Sequence, residues 1–482
     1  MRRGVTLASV VAGFSVFVAV AFGYPFAISS PTLVSATNPF AGCTFGGPGT
    51  NYENAEVEPF VAVNPTSPSN IIGVYQQDRW NNGGAHGLVA GYSTDGGATW
   101  GRSFATFSKC SGGTYDRASD PWVTFDKDGN AYQIALSASA DLLTSAVLVS
   151  KSTNGGASWS PPTTLISETS PVNFNDKESI TGDPTRKGYV YAVWDRSKFP
   201  SDVQGTFPGQ THAVRGEPFF SRTTDAGSTW STPRSIAPTR ANVFTIGNQI
   251  AVLPDGTLVD VFEAFKGSGV QPSPNADTEA VMRSTDAGLT WSRMIEISNA
   301  ETVAVLDPDT GQNVRAGPDL PDIAVDRTTG TLYVVWCTGM FSGGDHDDVA
   351  LSKSSDGGLT WSEPVKVNQT PNGAAAFTAS VDVSSDGTVG VTYYDFRSNT
   401  PAPGALTDYW LAHSHDGGAT FSERHVAGPF DIETAPRAGG YFLGDYEGLD
   451  HAGRDFIPFF VTANSGNLAN RTDVFAARAT AP

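Results

Sequence analysis

Ser93-Thr94-Asp95-Gly96-Gly97-Ala98-Thr99-Trp100 decides how this chain folds. Five near-copies follow, beginning at Ser152, Thr223, Ser284, Ser354 and Ser414. The third position reads Asp95, Asn154, Asp225, Asp286, Asp356 and Asp416, and the last reads Trp100, Trp159, Trp230, Trp291, Trp361 and Phe421. Successive third positions are 59, 71, 61, 70 and 60 residues apart. A pattern returning at this period is the signature of a repeat architecture. Each copy follows an apolar run such as Gly87-Leu88-Val89-Ala90 or Val349-Ala350-Leu351. The acidic side chain can accept from backbone N–H groups of its own turn, the glycine two residues on can take positive φ, and the ring can fold back into apolar surface. Each copy therefore reads as a hairpin turn with a structural role.

Working outward, two more strand-like runs precede each turn. In the first repeat they are Glu58-Pro59-Phe60-Val61-Ala62-Val63 and Ile71-Ile72-Gly73-Val74-Tyr75, and in the fifth Ile323-Ala324-Val325 and Leu332-Tyr333-Val334-Val335-Trp336. Turn signals such as Asp128-Gly129-Asn130 and Asp386-Gly387 separate them. With an outer strand after the aromatic residue, each repeat has four antiparallel strands, which is a β-propeller blade. The expectation is an all-β propeller over residues 58–482, with seven blades favoured and six as the alternative. The seventh would use Gly444 to Leu449, Phe456 to Val461 and Asp473 to Ala477. It lacks the turn motif and its own outer strand, so Thr32-Leu33-Val34 or the residues just after it, within the segment leading through 37–57, would close the ring.

Composition agrees. The chain has 482 residues, with 52 Gly, 31 Pro and only 16% charged residues, the balance of a turn-rich exported β protein. A net charge of −19 argues against nucleic-acid partners and against a basic membrane-binding surface. Arg2 and Arg3 followed by the apolar run Val5 to Phe22 read as a secretory signal within residues 1–36, an uncleaved anchor being the alternative. The protein is then secreted or held at the cell surface. Cys43 and Cys110 are the obvious disulfide pair in such a compartment, and Cys337, in an apolar strand, reads as a buried free thiol.

The motif Ser-x-Asp-x-Gly-x-Thr-Trp resembles the Asp box, or BNR repeat, of the sialidase (neuraminidase) superfamily, and the resemblance runs from about residue 58 to 479. It implies a propeller. Its commonest enzymatic implication is exo-sialidase activity on terminal acidic sugars of glycans, by a monomer without a cofactor. Asp boxes also occur in propellers without that activity, so a non-catalytic glycan- or protein-binding propeller, a polysaccharide lyase and another glycosidase stay open. His86, His212 and His451 keep the lyase reading alive. Propeller geometry places the site on the face opposite the repeated turns, where second strands end and inner strands begin. The superfamily's order of parts is met by Arg79, Asp120, Glu263, Arg315, Arg397 and Tyr446. The resemblance implies Tyr446 as nucleophile, Glu263 as its activating partner, Asp120 as acid, and Arg79, Arg315 and Arg397 as binders of the sugar carboxylate. One departure stands out: Glu58-Pro59-Phe60 occupies the place of an Arg-Ile-Pro-type motif. No metal site is assigned; calcium is the one metal considered, for the oxygen-rich Asp307 to Asn313 loop and the Asp345-His346-Asp347-Asp348 cluster.

Overall fold

The computed structural model describes residues 25–170, 172–199, 215–239, 243–266 and 277–482. The signal segment Val5 to Phe22 and His212 lie outside the described residues. The described chain is all-β, with helix confined to the short turns Lys109–Ser111 and Ile432–Thr434. Four-stranded antiparallel sheets follow one another along it, an arrangement consistent with a β-propeller. Their first strands are, in order, Glu56–Val63, Arg117–Phe125, Asn173–Gly182, Val243–Val252, Asp322–Val325, Ala376–Val383 and Gly448–Ala452. Each of these inner strands packs against the next, and Gly448–Ala452 packs against Glu56–Val63. The first two sheets also share the backbone pair Ala85–Ala118.

The last sheet takes its fourth strand from far upstream, as the absence of a local outer strand predicts. Thr32–Leu33 lies antiparallel to Thr472–Ala476, pairing Thr32 with Ala476 and Leu33 with Phe475. Ala27–Ile28 pairs with Ala479–Thr480 beside it. Cys43 and Cys110 form the expected disulfide, and Cys337 is buried and free.

The repeated turns join third strands to fourth strands and have the expected internal bonding. In the first, the Ser93 hydroxyl and the Thr99 N–H both donate to Asp95 Oδ1, at 2.8 and 2.9 Å, and the Thr99 hydroxyl donates to Oδ2 at 2.6 Å. These donors hold the Asp95, Asp225, Asp286 and Asp416 carboxyls down at about 2. In the second copy Asn154 keeps the geometry with its amide donating to Ser158. The turn aromatics reach the preceding sheet: Trp291 meets Phe220 at 5.6 Å, and Trp100 meets Phe459 at 5.8 Å. The same packing explains Gly73, where a Cβ would come within 2.1 Å of the Phe459 ring.

The inner strands carry a second repeated feature. Each of five has a β-bulge near its start, two residues opposing one on the second strand, at Glu58-Pro59, Asp120-Pro121, Lys177-Glu178, Gly247-Asn248 and Thr378-Ala379. The first residue of each is left-handed, with φ of 53, 51, 46, 75 and 53°. Only the fourth is the glycine that such a bulge prefers. Residues held in this region cost of the order of 1–3 kcal/mol each and concentrate at functional sites. Inner strands begin at the end of the sheets opposite the repeated turns, so the strained residues gather on that face.

Candidate functional site

Three of the bulges, at Glu58, Asp120 and Lys177, open onto a cavity of about 630 Å3 where the inner strands begin. Glu58, Arg79, Asp120, Asp176, Lys177, Arg315, Asp319 and Asp445 line it. Glu58, Asp120 and Lys177 occupy the equivalent left-handed position of three successive inner strands, and a bulge is what re-aims such side chains.

Two arginines flank one aromatic ring. Arg79, at the end of the strand Ile71–Arg79, lies 4.8 Å from the centroid of Phe442 and donates to Gln76 Oε1 at 2.8 Å. Arg315 lies 4.7 Å from the same centroid. It is placed by the short parallel pair Val314–Arg315 and Tyr441–Phe442. Arg315 binds both oxygens of Asp445, Nε to Oδ1 at 2.9 Å and a terminal nitrogen to Oδ2. Planar two-point pairing of this kind fixes orientation as well as charge. Arg79 makes no ion pair with a described carboxylate.

The carboxylates differ in their protonation. Burial, then the Asp120 charge, raises the Glu58 carboxyl well above its ordinary range. Its Oε2 is buried without a hydrogen-bond partner. Burial and Asp120 push Asp176 up to about 7, and burial and Asp445 push Asp319 up to about 6. Asp445 goes the other way: burial opposes its charge, but Arg315, with Arg79 and Lys177 behind it, holds it below the usual value. Carboxyls pushed above and below their ordinary range thus line one cavity, an arrangement that suits acid–base chemistry.

The cavity gathers Arg79, Asp120 and Arg315 from the residues singled out in the sequence. Tyr446 sits next to it, in the wall of a separate space of about 20 Å3 shared with Trp122 and Gln249. Its hydroxyl donates to the Pro121 carbonyl at 3.2 Å, its ring leans on Trp122 at 5.1 Å, and the Lys177 ammonium stands 3.6 Å from its ring centroid. Burial, then the charges of Glu58 and Asp120, raises the Tyr446 hydroxyl further above its ordinary value. Glu263 does not line the cavity. It faces Glu279 across the sheet, and all four of their carboxyl oxygens are buried without partners. Arg397 is also elsewhere. It is held by Asp395 at 2.5 Å and Glu423 at 2.7 Å, stacked 3.8 Å from Trp410, in the wall of a second cavity.

Glu58, Asp176, Lys177, Asp319 and Asp445 were readable as charged entries to inner strands but not as members of one site. The usable signal was the alignment of Glu58-Pro59-Phe60 with Asp120-Pro121-Trp122, two acidic residues at one blade position. Phe442 gave no signal, because the parallel pair that places it joins segments over a hundred residues apart.

The oxygen-rich candidates for calcium are engaged locally. Asp307 accepts from the N–H groups of Asp309 and Thr310 and from the Thr310 hydroxyl. Asp348 is bridged by Lys366 at 2.7 Å, and Asp347 accepts from the Val303 N–H. Asp382, Asp450 and His451 do cluster closely enough to hold an ion. However, His451 Nδ1 lies 2.6 Å from Asp382, and against burial the Asp382 charge and hydrogen bond together with the Asp450 charge lift the imidazole to about 9, so the histidine itself is poised to act as the cation there. Of the other histidines, His86 is buried against Asp78 at 3.0 Å.

No protein-family model matches the chain. A sialidase of Bacteroides fragilis is 33% identical over 129 residues, 24% of this chain and 22% of that protein. A xyloglucanase of a Paenibacillus species is 26% identical over 270 residues, 55% of this chain and 22% of that protein. The chain thus spans about a fifth of the length of the curated relatives it matches. Among solved structures, a Hadza microbial sialidase is 14% identical with a TM-score of 0.50, covering 90% of this chain and 91% of that one. An α-L-arabinanase of Penicillium chrysogenum, solved with arabinobiose, is 12% identical with a TM-score of 0.48, covering 93% and 98%. The chain is similar to sialidases twice over, to one in a 129-residue stretch of its sequence and to another in its fold.

Proposed function

We propose that this chain is an exported glycoside hydrolase on a closed seven-bladed Asp-box propeller, with the 630 Å3 cavity as its active site. The observation that carries the reading is the set of carboxyls in that cavity whose protonation is driven apart, Glu58 and Asp176 upward and Asp445 downward. Hydrolysis of a glycosidic bond asks for one carboxyl that donates a proton to the leaving oxygen and a second, ionised group that acts on the sugar. Glu58, whose carboxyl is raised well above its ordinary range, is the acid. Asp120, its neighbour at the equivalent bulge, is the second carboxylate, and Asp445 with Arg315 fixes the charge around them. Arg79, with no carboxylate of its own, is available to a sugar acid group, which favours a terminal acidic sugar as substrate. The ring of inner-strand contacts supports seven-bladed closure, and the Cys43–Cys110 disulfide supports an oxidising compartment outside the cytoplasm.

The test is release of fluorophore from an α-sialoside and from a panel of neutral glycosides by the purified chain, compared with Glu58→Gln and Tyr446→Phe. The expected result is activity lost in Glu58→Gln and retained within tenfold in Tyr446→Phe. The reverse pattern would return the nucleophile to Tyr446 and overturn the carboxylate pair. No turnover of any glycoside would overturn the enzyme reading in favour of a binding propeller.

A further inference from the structure

A second cavity, of about 440 Å3, adjoins the first on the same face. Ala304 lines both, and the segment that carries it divides them: Val305 belongs to the first cavity, Leu306 and Pro308 to the second. The divider is a built wall. The Val314 N–H donates to the Val305 carbonyl at 2.9 Å, Leu306 pairs with Asn313, and Arg315, one residue on, holds Asp445 in the first cavity. The second cavity is of a size used by small ligands, whose sites run to roughly 300–1,000 Å3. Its wall alternates carbon surface with polar groups: Pro308, Pro371 and Phe396 stand among Asp345, Asn372 and Arg397. Its charges are largely answered from within, because Arg397 is neutralised by Asp395 and Glu423. Mixed walls of this kind match the alternating C–H faces and hydroxyls of a neutral sugar.

We infer that the second cavity binds further neutral sugar units of the same chain whose end enters the first, so that the substrate is an oligosaccharide or polysaccharide rather than a single capped residue. This rests on the reading of the first cavity as a glycosidase site. Two cavities on one face that share a wall can be spanned by one linear glycan crossing that wall. Arg397 then has a place in substrate binding that does not require it to meet Arg79 and Arg315.

The experiment compares turnover of a fluorogenic monosaccharide glycoside and of chromogenic oligosaccharides ending in the same sugar, in the wild type, in Asn372→Ala and in Ala374→Trp, Ala374 being a small residue in the wall of the second cavity where a bulkier side chain should obstruct it. The expected result is a KM for the oligosaccharide at least tenfold below that for the monosaccharide in the wild type. That advantage is lost in Ala374→Trp and reduced in Asn372→Ala, with monosaccharide turnover unchanged in both. Equal KM values across chain lengths, or an advantage untouched by both substitutions, would overturn the inference while leaving the enzyme reading intact. If no glycoside is turned over, calorimetric titration of wild type and Ala374→Trp with the intact oligosaccharide decides it. Binding weakened at least tenfold in Ala374→Trp supports the second cavity, and equal or absent binding overturns it.

Discussion

The repeated turns and the bulged strand entries use the same residue type to opposite ends. At the turns, each aspartate accepts from a serine or threonine two residues back and from two donors four residues on, and its carboxyl is held at about 2 in four of them. At the entries, Glu58 is buried and Asp176 half-buried, both poor in donors and pushed up, on backbone that carries left-handed non-glycine residues. The turns hold their charge with hydrogen bonds, though two copies also place an alanine, Ala226 and Ala287, in the left-handed region. The entries raise their carboxyls instead, and the rest of the fold must offset the cost. The contrast separates residues that stabilise the sheets from residues available for chemistry.

The largest expected effect falls on catalysis. Glu58→Gln should lower kcat/KM by about 10²–10⁴-fold, the usual contribution of a positioned acid, with the thermal midpoint preserved. A loss of activity accompanied by unfolding would place Glu58 among structural residues and erase the contrast. Next is the disulfide: Cys43→Ser with Cys110→Ser should cost about 2–4 kcal/mol in denaturant unfolding, since it opens a 67-residue loop. Glu58→Gly sharpens the comparison further, because it removes both the acid and the left-handed strain. It should be inactive yet more stable by about 1 kcal/mol, and a destabilised variant would show that the bulge carries no strain.

The two regions also predict two limbs in stability against pH. Asp176 has its folded value raised from 3.8 to about 7, so between about pH 4 and 7 the folded state holds a proton that the unfolded chain lacks. The stability this group contributes therefore falls as pH rises through that window and levels off above it. The turn aspartates have folded values lowered to about 2, so the unfolded chain takes up protons first, and stability falls as pH drops from about 4 to 2. Thermal midpoints from pH 2 to 8 should show both limbs, with Asp176→Asn shrinking only the upper one, to which Asp319 also contributes. The smallest effect is expected at a single turn: Asp356→Ala should lower the midpoint by no more than a few degrees and leave kcat/KM unchanged.

The fold was legible wherever its determinants are local. An Asp-to-Thr turn is complete within eight residues, so six copies could be read directly, and the missing outer strand of the last sheet pointed to Thr32-Leu33. The site was legible only in part. Arg79, Asp120 and Arg315 line one cavity, as grouped from the sequence, because strand ends on one face converge whatever their register. Glu263 and Arg397 fell elsewhere because their direction depends on cross-strand partners, Glu279 for one and Asp395 and Glu423 for the other, which the order of residue types along the chain does not encode. Glu58 was visible but unchosen, since the bulge that aims it appears only when inner strands are aligned with one another.

The pairing of Thr32–Leu33 with Thr472–Ala476 has a consequence for how the protein comes into being. The ribosome delivers residues 32–33 about 440 residues before their partner, so one strand of that sheet waits, unpaired, while everything between them is made. Until residues 472–476 emerge the sheet is unfinished, and its open edge is one to which a stray strand can add. The sheet is thus a clasp between older and newer parts of the polypeptide, and a nascent chain halted before residue 472 cannot complete it.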